Sequence, residues 1–170
     1  GLDPVTYFVR TITLGLSGDA AVRTLAVPSP FDYARQGTLI AAETLAEPRD
    51  LQAFTADMVS ALLGDLAQVK AGALVLFTSR DQMRQATERL PASLRGAVLV
   101  QNSLPRPQLL RQHRERVAQG LPSIIFGMQS FGEGLDLPGS LCESLFITKL
   151  PFAPPDDPVG EARAEWLRAR

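Results

Sequence analysis

The sequence predicts an α/β domain built on a mostly parallel sheet, and three observations carry that reading. Leu74-Val75-Leu76-Phe77, Ile124-Ile125-Phe126 and Leu145-Phe146-Ile147-Thr148 are short apolar runs, rich in β-branched and aromatic residues, with the length of strands rather than helices. Stretches of about ten to twenty residues with apolar positions three and four apart separate such runs, as a parallel sheet with crossover helices requires. Consecutive strands end in small polar residues, which in a parallel sheet all fall on one edge.

Taken in order, Asp3-Pro4 offers a cap followed by proline at the first helical position. Val5, Phe8, Ile12 and Leu16 then recur at helical spacing, and Gly15 and Gly18 can end the turn. Residues 24–27 form a strand candidate closed by Pro28 and Pro30, and Pro28-Ser29-Pro30-Phe31-Asp32 reads as a loop. Residues 37–41 are a second strand candidate. Leu51, Phe54, Met58, Leu62, Leu66 and Val69 mark a long helix with a stripe broad enough to cover a sheet.

The strand at Leu74 leaves through Thr78-Ser79-Arg80, where Ser79 and Gln82 predict a capping box for a helix through Met83 to Leu90. Pro91 stops that helix. Residues 97–100 are the next strand, leaving through Gln101-Asn102-Ser103. Residues 105–119 are helical, with Leu109, Leu110, His113 and Val117 inward, arginines outward and Gly120 ending the helix. After the strand at Ile124 the chain turns small and polar, with Gly127, Gly132, Gly134 and Gly139 around Gln129, Ser130, Glu133 and Asp136. A proline-rich loop at 151–158 leads to a helix at 159–170 that meets the last residue with no stop signal, so the chain is expected to be a piece of a longer one.

At 170 residues the chain fits one domain, able to bury about 70% of its unfolded surface. Hydrophobic content of 45% and charged content of 21% are ordinary for a globular protein. No apolar run approaches the ~20 residues that span a bilayer, and no signal peptide opens the chain, so no membrane partner and a cytoplasmic address are expected. The single cysteine, Cys142, excludes an internal disulfide or a cysteine-held cluster from this chain alone. Net charge is −1, so no global field draws in nucleic acid. Arg106, Arg111, Arg114 and Arg116 crowd one segment and can bind phosphate, although a solvated helix face is the commoner meaning of such a cluster.

Glu133 and Asp136 are in principle a general acid–base pair or metal ligands, but one histidine and no second acidic cluster leave neither supported. His113, on an apolar stripe, reads as a core histidine, and Cys142 as a small buried hydrophobe. There is no phosphate loop and no dinucleotide fingerprint. The residues alone indicate one ligand-binding edge with an incomplete set of catalytic parts.

Gln129-Ser130-Phe131-Gly132-Glu133-Gly134-Leu135-Asp136 resembles motif V of the superfamily 2 helicases, in the form found in the DinG/XPD branch and in bacterial DinG-type helicases. Residues 72–79 resemble motif IV. Val100-Gln101 and Arg106-Pro107-Gln108-Leu109-Leu110 are similar to the segment between those motifs. Ser29-Pro30-Phe31-Asp32-Tyr33, Lys149-Leu150-Pro151-Phe152 and Glu165-Trp166-Leu167 complete the likeness. The resemblance implies the second RecA-like lobe of an ATP-dependent 5′-to-3′ DNA helicase, a three-layer domain with helices on both faces, acting in DNA repair. It implies single-stranded DNA and the first lobe of the same polypeptide as partners. Glu133, Gly134 and Asp136 are implied at the nucleotide, and Ser79, Gln101 and Ser130 at the DNA backbone, with Thr78, Arg80 and Gln129 as further candidates.

ATP and magnesium are the implied cofactors, with an iron–sulfur cluster possible in the first lobe. The phosphate-binding lysine and the acidic metal motif of the family belong to that lobe, and the arginines of motif VI would follow Arg170. The expectation is therefore that this chain alone does not hydrolyse ATP. A non-motor α/β module binding a nucleotide or another phosphorylated ligand at the same edge is the rival reading, and a domain that only regulates a motor is a third.

Overall fold

The computed structural model describes residues 27–47 and 49–150, together with Ala162, Glu165 and Trp166. The chain divides into two units, residues 1–41 and 42–170. In the first, the predicted loop from Pro28 to Asp32 is irregular and leads into a single helical turn, α1 (Tyr33–Gln36). The strand expected at 37–41 does not form. Leu39 and Ile40 are 97% and 81% exposed, and β propensity there finds no neighbouring strand among the described residues. The helix expected at 5–16 and residues 24–26 of the first strand candidate lie outside the described residues, as does most of the terminal helix, of which Ala162, Glu165 and Trp166 are helical.

The second unit is α/β. Its elements are α2 (Leu51–Leu66), β1 (Gly72–Phe77), α3 (Arg80–Glu88), α4 (Ala92–Arg95), β2 (Val98–Val100) and α5 (Arg106–Ala118). They continue with β3 (Ser123–Met128), α6 (Gln129–Gly132), a 3-10 turn (Gly139–Cys142) and β4 (Ser144–Ile147). The four strands form one parallel sheet in the order β2-β3-β1-β4. All four were legible as apolar runs. The turns α4, α6 and 139–142 were not.

Period-two alternation in β1 divides the core. Ala73, Val75 and Phe77 join Met58, Val59, Leu62 and Leu66 of α2 and Ala86 of α3 on one face, with Ile124 and Phe126 of β3 beside them. The Phe77 and Phe126 rings meet edge-on, 5.2 Å between centroids. Leu74 and Leu76 face the other way, with Leu109 of α5, Ile125 of β3 and Phe131 of α6. Helices therefore cover both faces, as a three-layer domain requires.

Local chemistry sets the helix ends. The Asp50 carboxylate accepts from Ala53 N–H at 3.0 Å and caps α2, a cap the sequence reading did not assign. Ser79 accepts from Gln82 N–H at 3.5 Å and caps α3, but the reciprocal half of the expected capping box is absent. Gln82 is buried against α2 and donates to Thr55 Oγ1 at 3.3 Å instead, because the helix interface claims its side chain. Helix α5 ends as Gly120 predicts. Gly120, at φ +72°, lets Leu121 N–H reach Arg116 C=O at 3.0 Å and its own N–H reach Val117 C=O at 2.9 Å.

Candidate nucleic-acid interface

Parallel register fixes where the polar tips go. Phe77 pairs with Met128, Val100 with Phe126, and Leu76 with Ile147. Thr78, Gln101, Gln129 and Thr148 consequently leave the sheet along one edge, with β3 and β1 at its middle. Thr78, Arg80, Gln129 and Ser130 are exposed, and Ser79 and Gln101 half-buried.

Gln101 continues the ladder with its side chain. Its backbone N–H donates to Phe126 C=O at 2.8 Å, and its Oε1 accepts from Met128 N–H at 2.7 Å, one residue further than β2 itself reaches. The chain then turns through Asn102, at φ +69°, a left-handed conformation that asparagine tolerates. Ser103 Oγ donates back to Val100 C=O at 2.6 Å, and α5 begins.

Motif V is less of a loop than its composition suggests. Residues 129–132 make a helical turn because Phe131 folds back onto β3 and is buried. Gly127 allows this: a Cβ there would stand 2.9 Å from the Phe131 ring. Arg106, the first residue of α5, lies over the Phe131 ring, 4.9 Å from its centroid. Its Nη2 donates to Glu133 C=O at 2.9 Å. Gln101, Asn102, Leu104, Arg106, Ser130 and Phe131 together line a pocket of about 260 Å³.

Of the residues singled out from the sequence, Gln101 and Ser130 meet in that pocket, Gln129 adjoins it, and Thr78 shares the rim across the β1–β3 pair. Ser79 serves as the cap of α3. Gly134, at φ +66°, turns the chain away from the rim, and Leu135 and Leu137 pack against the α5 face, leaving Asp136 exposed between them. The connection then runs back to the amino edge, where Leu141 C=O meets the backbone of Gly72. Asp136 makes no hydrogen bond or ion pair with the rim residues.

Arg106, named from the sequence only within the arginine cluster, and Asn102, named only as part of a polar strand tip, also line the pocket. The arginine cluster divides: Arg111 pairs loosely with Glu115 at 3.9 Å on the exposed face of α5, and Arg116 donates to Pro122 C=O, while Arg106 alone turns into the site.

His113 is wholly buried at the opposite edge of the sheet. Leu141 C=O lies 2.8 Å from Nε2 and can only accept, so Nε2 carries the proton and Ser123 Oγ–H donates to Nδ1 at 2.8 Å. Burial pushes its pKa below the ordinary value, aided by nearby Arg114 and opposed by the Leu141 hydrogen bond. Both ring nitrogens are satisfied, so this is the core histidine that its apolar stripe suggested. Burial likewise raises the Cys142 thiol, which disfavours the reactive thiolate. Among the described residues no three of His, Cys, Asp or Glu gather as metal ligands, and no helix is long and apolar enough to cross a membrane.

A family model described as a helicase C-terminal domain matches residues 63–170. The chain is 38% identical over 171 aligned residues to the ATP-dependent DNA helicase DinG of Photobacterium profundum, covering 99% of this chain and 24% of that protein. It is 37% identical over 158 residues to the ATP-dependent DNA helicase DinG of Escherichia coli K12, and 38% identical over the same length to that of Salmonella typhimurium. Each of those alignments covers 91% of this chain and 22% of the relative. The chain thus spans about a quarter of the length of these curated relatives.

Proposed function

Because the chain belongs to the helicase C-terminal domain family, we propose that it works as the second motor lobe of a DinG-type, ATP-dependent 5′-to-3′ DNA helicase. The observation that carries this is the gathering of Gln101, Gln129 and Ser130 at the carboxyl edge of a parallel sheet, where α/β domains bind ligands. Thr78, Ser79, Gln101 and Ser130 are neutral hydrogen-bonding groups suited to a sugar–phosphate backbone, which a motor must grip without reading bases.

The nucleotide would meet this lobe at Glu133, Gly134 and Asp136, the two carboxylates being exposed and without an ion pair among the described residues. Magnesium and the phosphate-gripping lysine would come with the opposing lobe, where the resemblance puts them. ATP hydrolysis would supply the free energy. The residues of this chain would hold the strand at the rim and, through the turn 129–136, sense whether the two lobes are closed.

Two measurements test the reading. The 170-residue chain alone should show no ATP turnover, and turnover would overturn the assignment to half a cleft. In the longer polypeptide that carries it, Asp136→Ala or Glu133→Ala should lower DNA-stimulated ATP turnover. Unchanged stimulation in both variants would count against motif V as the link between nucleotide and DNA.

A further inference from the structure

Three backbone groups along the motif V segment are held by side chains from one stretch of chain. Met128 N–H donates to Gln101 Oε1 at 2.7 Å, Glu133 C=O accepts from Arg106 Nη2 at 2.9 Å, and Leu141 C=O accepts from His113 Nε2 at 2.8 Å. Gln101 follows β2 directly, while Arg106 and His113 stand seven residues apart on α5 and so share one face of it. Leu135 and Leu137 pack into the cluster around Leu109 of the same helix. Residues 128–141 are therefore laid along the β2–α5 unit and pinned before, within and after the stretch that carries Glu133 and Asp136.

The middle pin is the one that neither helix explains by itself. Turn α6 has four residues and no side-chain cap, too short to persist on its own hydrogen bonds. Arg106 opens α5, where a cation faces the positive end of the helix dipole. What it touches accounts for it better: the guanidinium lies 4.9 Å from the centroid of the buried Phe131 ring while Nη2 reaches Glu133 C=O. A broad planar fork can cover a ring and donate from its rim together, which a lysine ammonium cannot.

Resting on the motor-lobe reading, we propose that Arg106 is a positioning residue of the motor. It fixes the direction in which the chain leaves α6, and with it the place of Glu133 and Asp136 relative to Gln101 at the rim. It acts through the motif V backbone, without touching nucleotide or nucleic acid.

Proton–nitrogen spectra of the unmodified chain at low temperature read the clasp directly. Rotation of the Arg106 guanidinium should be slowed enough to separate its Nη signals, unlike that of Arg111, whose pair with Glu115 is loose at 3.9 Å. Arg106 signals as averaged as those of Arg111 would overturn the clasp. In the longer polypeptide, Arg106→Ala should lower the maximal DNA-stimulated ATP turnover about tenfold and shift the half-stimulating DNA concentration by less than about threefold. Arg106→Lys, which keeps the charge and loses the fork, should show most of the same loss.

A variant that needs far more DNA for half-stimulation yet reaches the wild-type maximum would overturn the proposal, making Arg106 a direct DNA contact. Full recovery by lysine would overturn it as well. Phe131→Leu, which removes the ring beneath the guanidinium and keeps an apolar side chain, serves if Arg106→Ala does not fold. It should lower the same maximum, and an unchanged maximum would count against the clasp. Wild-type turnover that ignores DNA would instead sink the motor-lobe reading and this role with it, while the spectra still decide whether the clasp exists.

Discussion

Among the described residues, thirteen buried side chains join in one cluster on the side of the sheet covered by α2, α3 and α4, whereas the side covered by α5 and α6 gathers four. The deeper side holds the Phe77–Phe126 pair; the shallower side carries Phe131, Leu104 and Arg106, which line the pocket together with rim residues. The larger core cluster and the Phe131–Arg106 pair thus lie on different faces of the sheet. A thin layer leaves backbone carbonyls such as that of Glu133 and side chains such as Ser130 near solvent, where a ligand can compete for them. The contrast predicts that stability and affinity respond to different substitutions.

The largest effect should come from the deep side. Phe126→Ala removes a fully buried ring and should cost about 3–5 kcal/mol in denaturant unfolding, while the fraction still folded binds oligothymidylate as before. A cost below about 1 kcal/mol would show that this layer is not the stabilising one. Gly72 follows. Its Cβ would stand 2.1 Å from Leu141 O and 2.3 Å from Leu141 C, both backbone atoms that cannot swing aside. Gly72→Ala should therefore cost about 1–3 kcal/mol or more and loosen the 139–142 turn and β4, read by hydrogen exchange. Gly64 is the control: it is exposed in α2 with nothing near the added methyl, so Gly64→Ala should stabilise by about 1 kcal/mol.

A pH experiment tests the amino edge. His113 is held neutral by burial, so below its ordinary value of 6.5 the unfolded chain takes up a proton that the folded chain resists. The stability this group contributes is present above pH 6.5 and is lost as pH falls below it, with a slope no steeper than about 1.4 kcal/mol per pH unit. His113→Gln should flatten the stability profile in that window. An unchanged slope would assign the dependence to another group.

These contrasts also show what the sequence could and could not convey. The strands and helices α2, α3 and α5 were legible because period-two and period-3.6 apolar patterns reflect burial directly. The turn Gln129–Gly132 was not, since Gln, Ser and Gly read as loop until Phe131 is seen against Gly127 and Arg106. Residues 37–41 misled for the opposite reason, carrying strand-like composition with no partner strand. Of the residues that line the pocket, Gln101 and Ser130 stood out in the sequence from their place after strands. Arg106 was hidden among the arginines of α5 because its target is a backbone carbonyl twenty-seven residues on, a relation that no local pattern encodes.

The finest test lies within a single side chain that serves both roles. Gln101 closes the ladder with its oxygen and, on our reading, offers its nitrogen to the DNA backbone. Gln101→Leu removes both and should cost about 1 kcal/mol for the lost hydrogen bond to Met128 N–H, together with affinity. Gln101→Glu keeps an acceptor for Met128 N–H while replacing the donor by negative charge. At pH 7 it should retain stability to within about 0.5 kcal/mol and lose oligonucleotide binding. If the two variants lose affinity equally but Gln101→Glu is also the less stable, the carboxylate has left Met128 and the two roles are one. If Gln101→Glu still binds with wild-type affinity, the nitrogen does not face the ligand, and the strand is held without it.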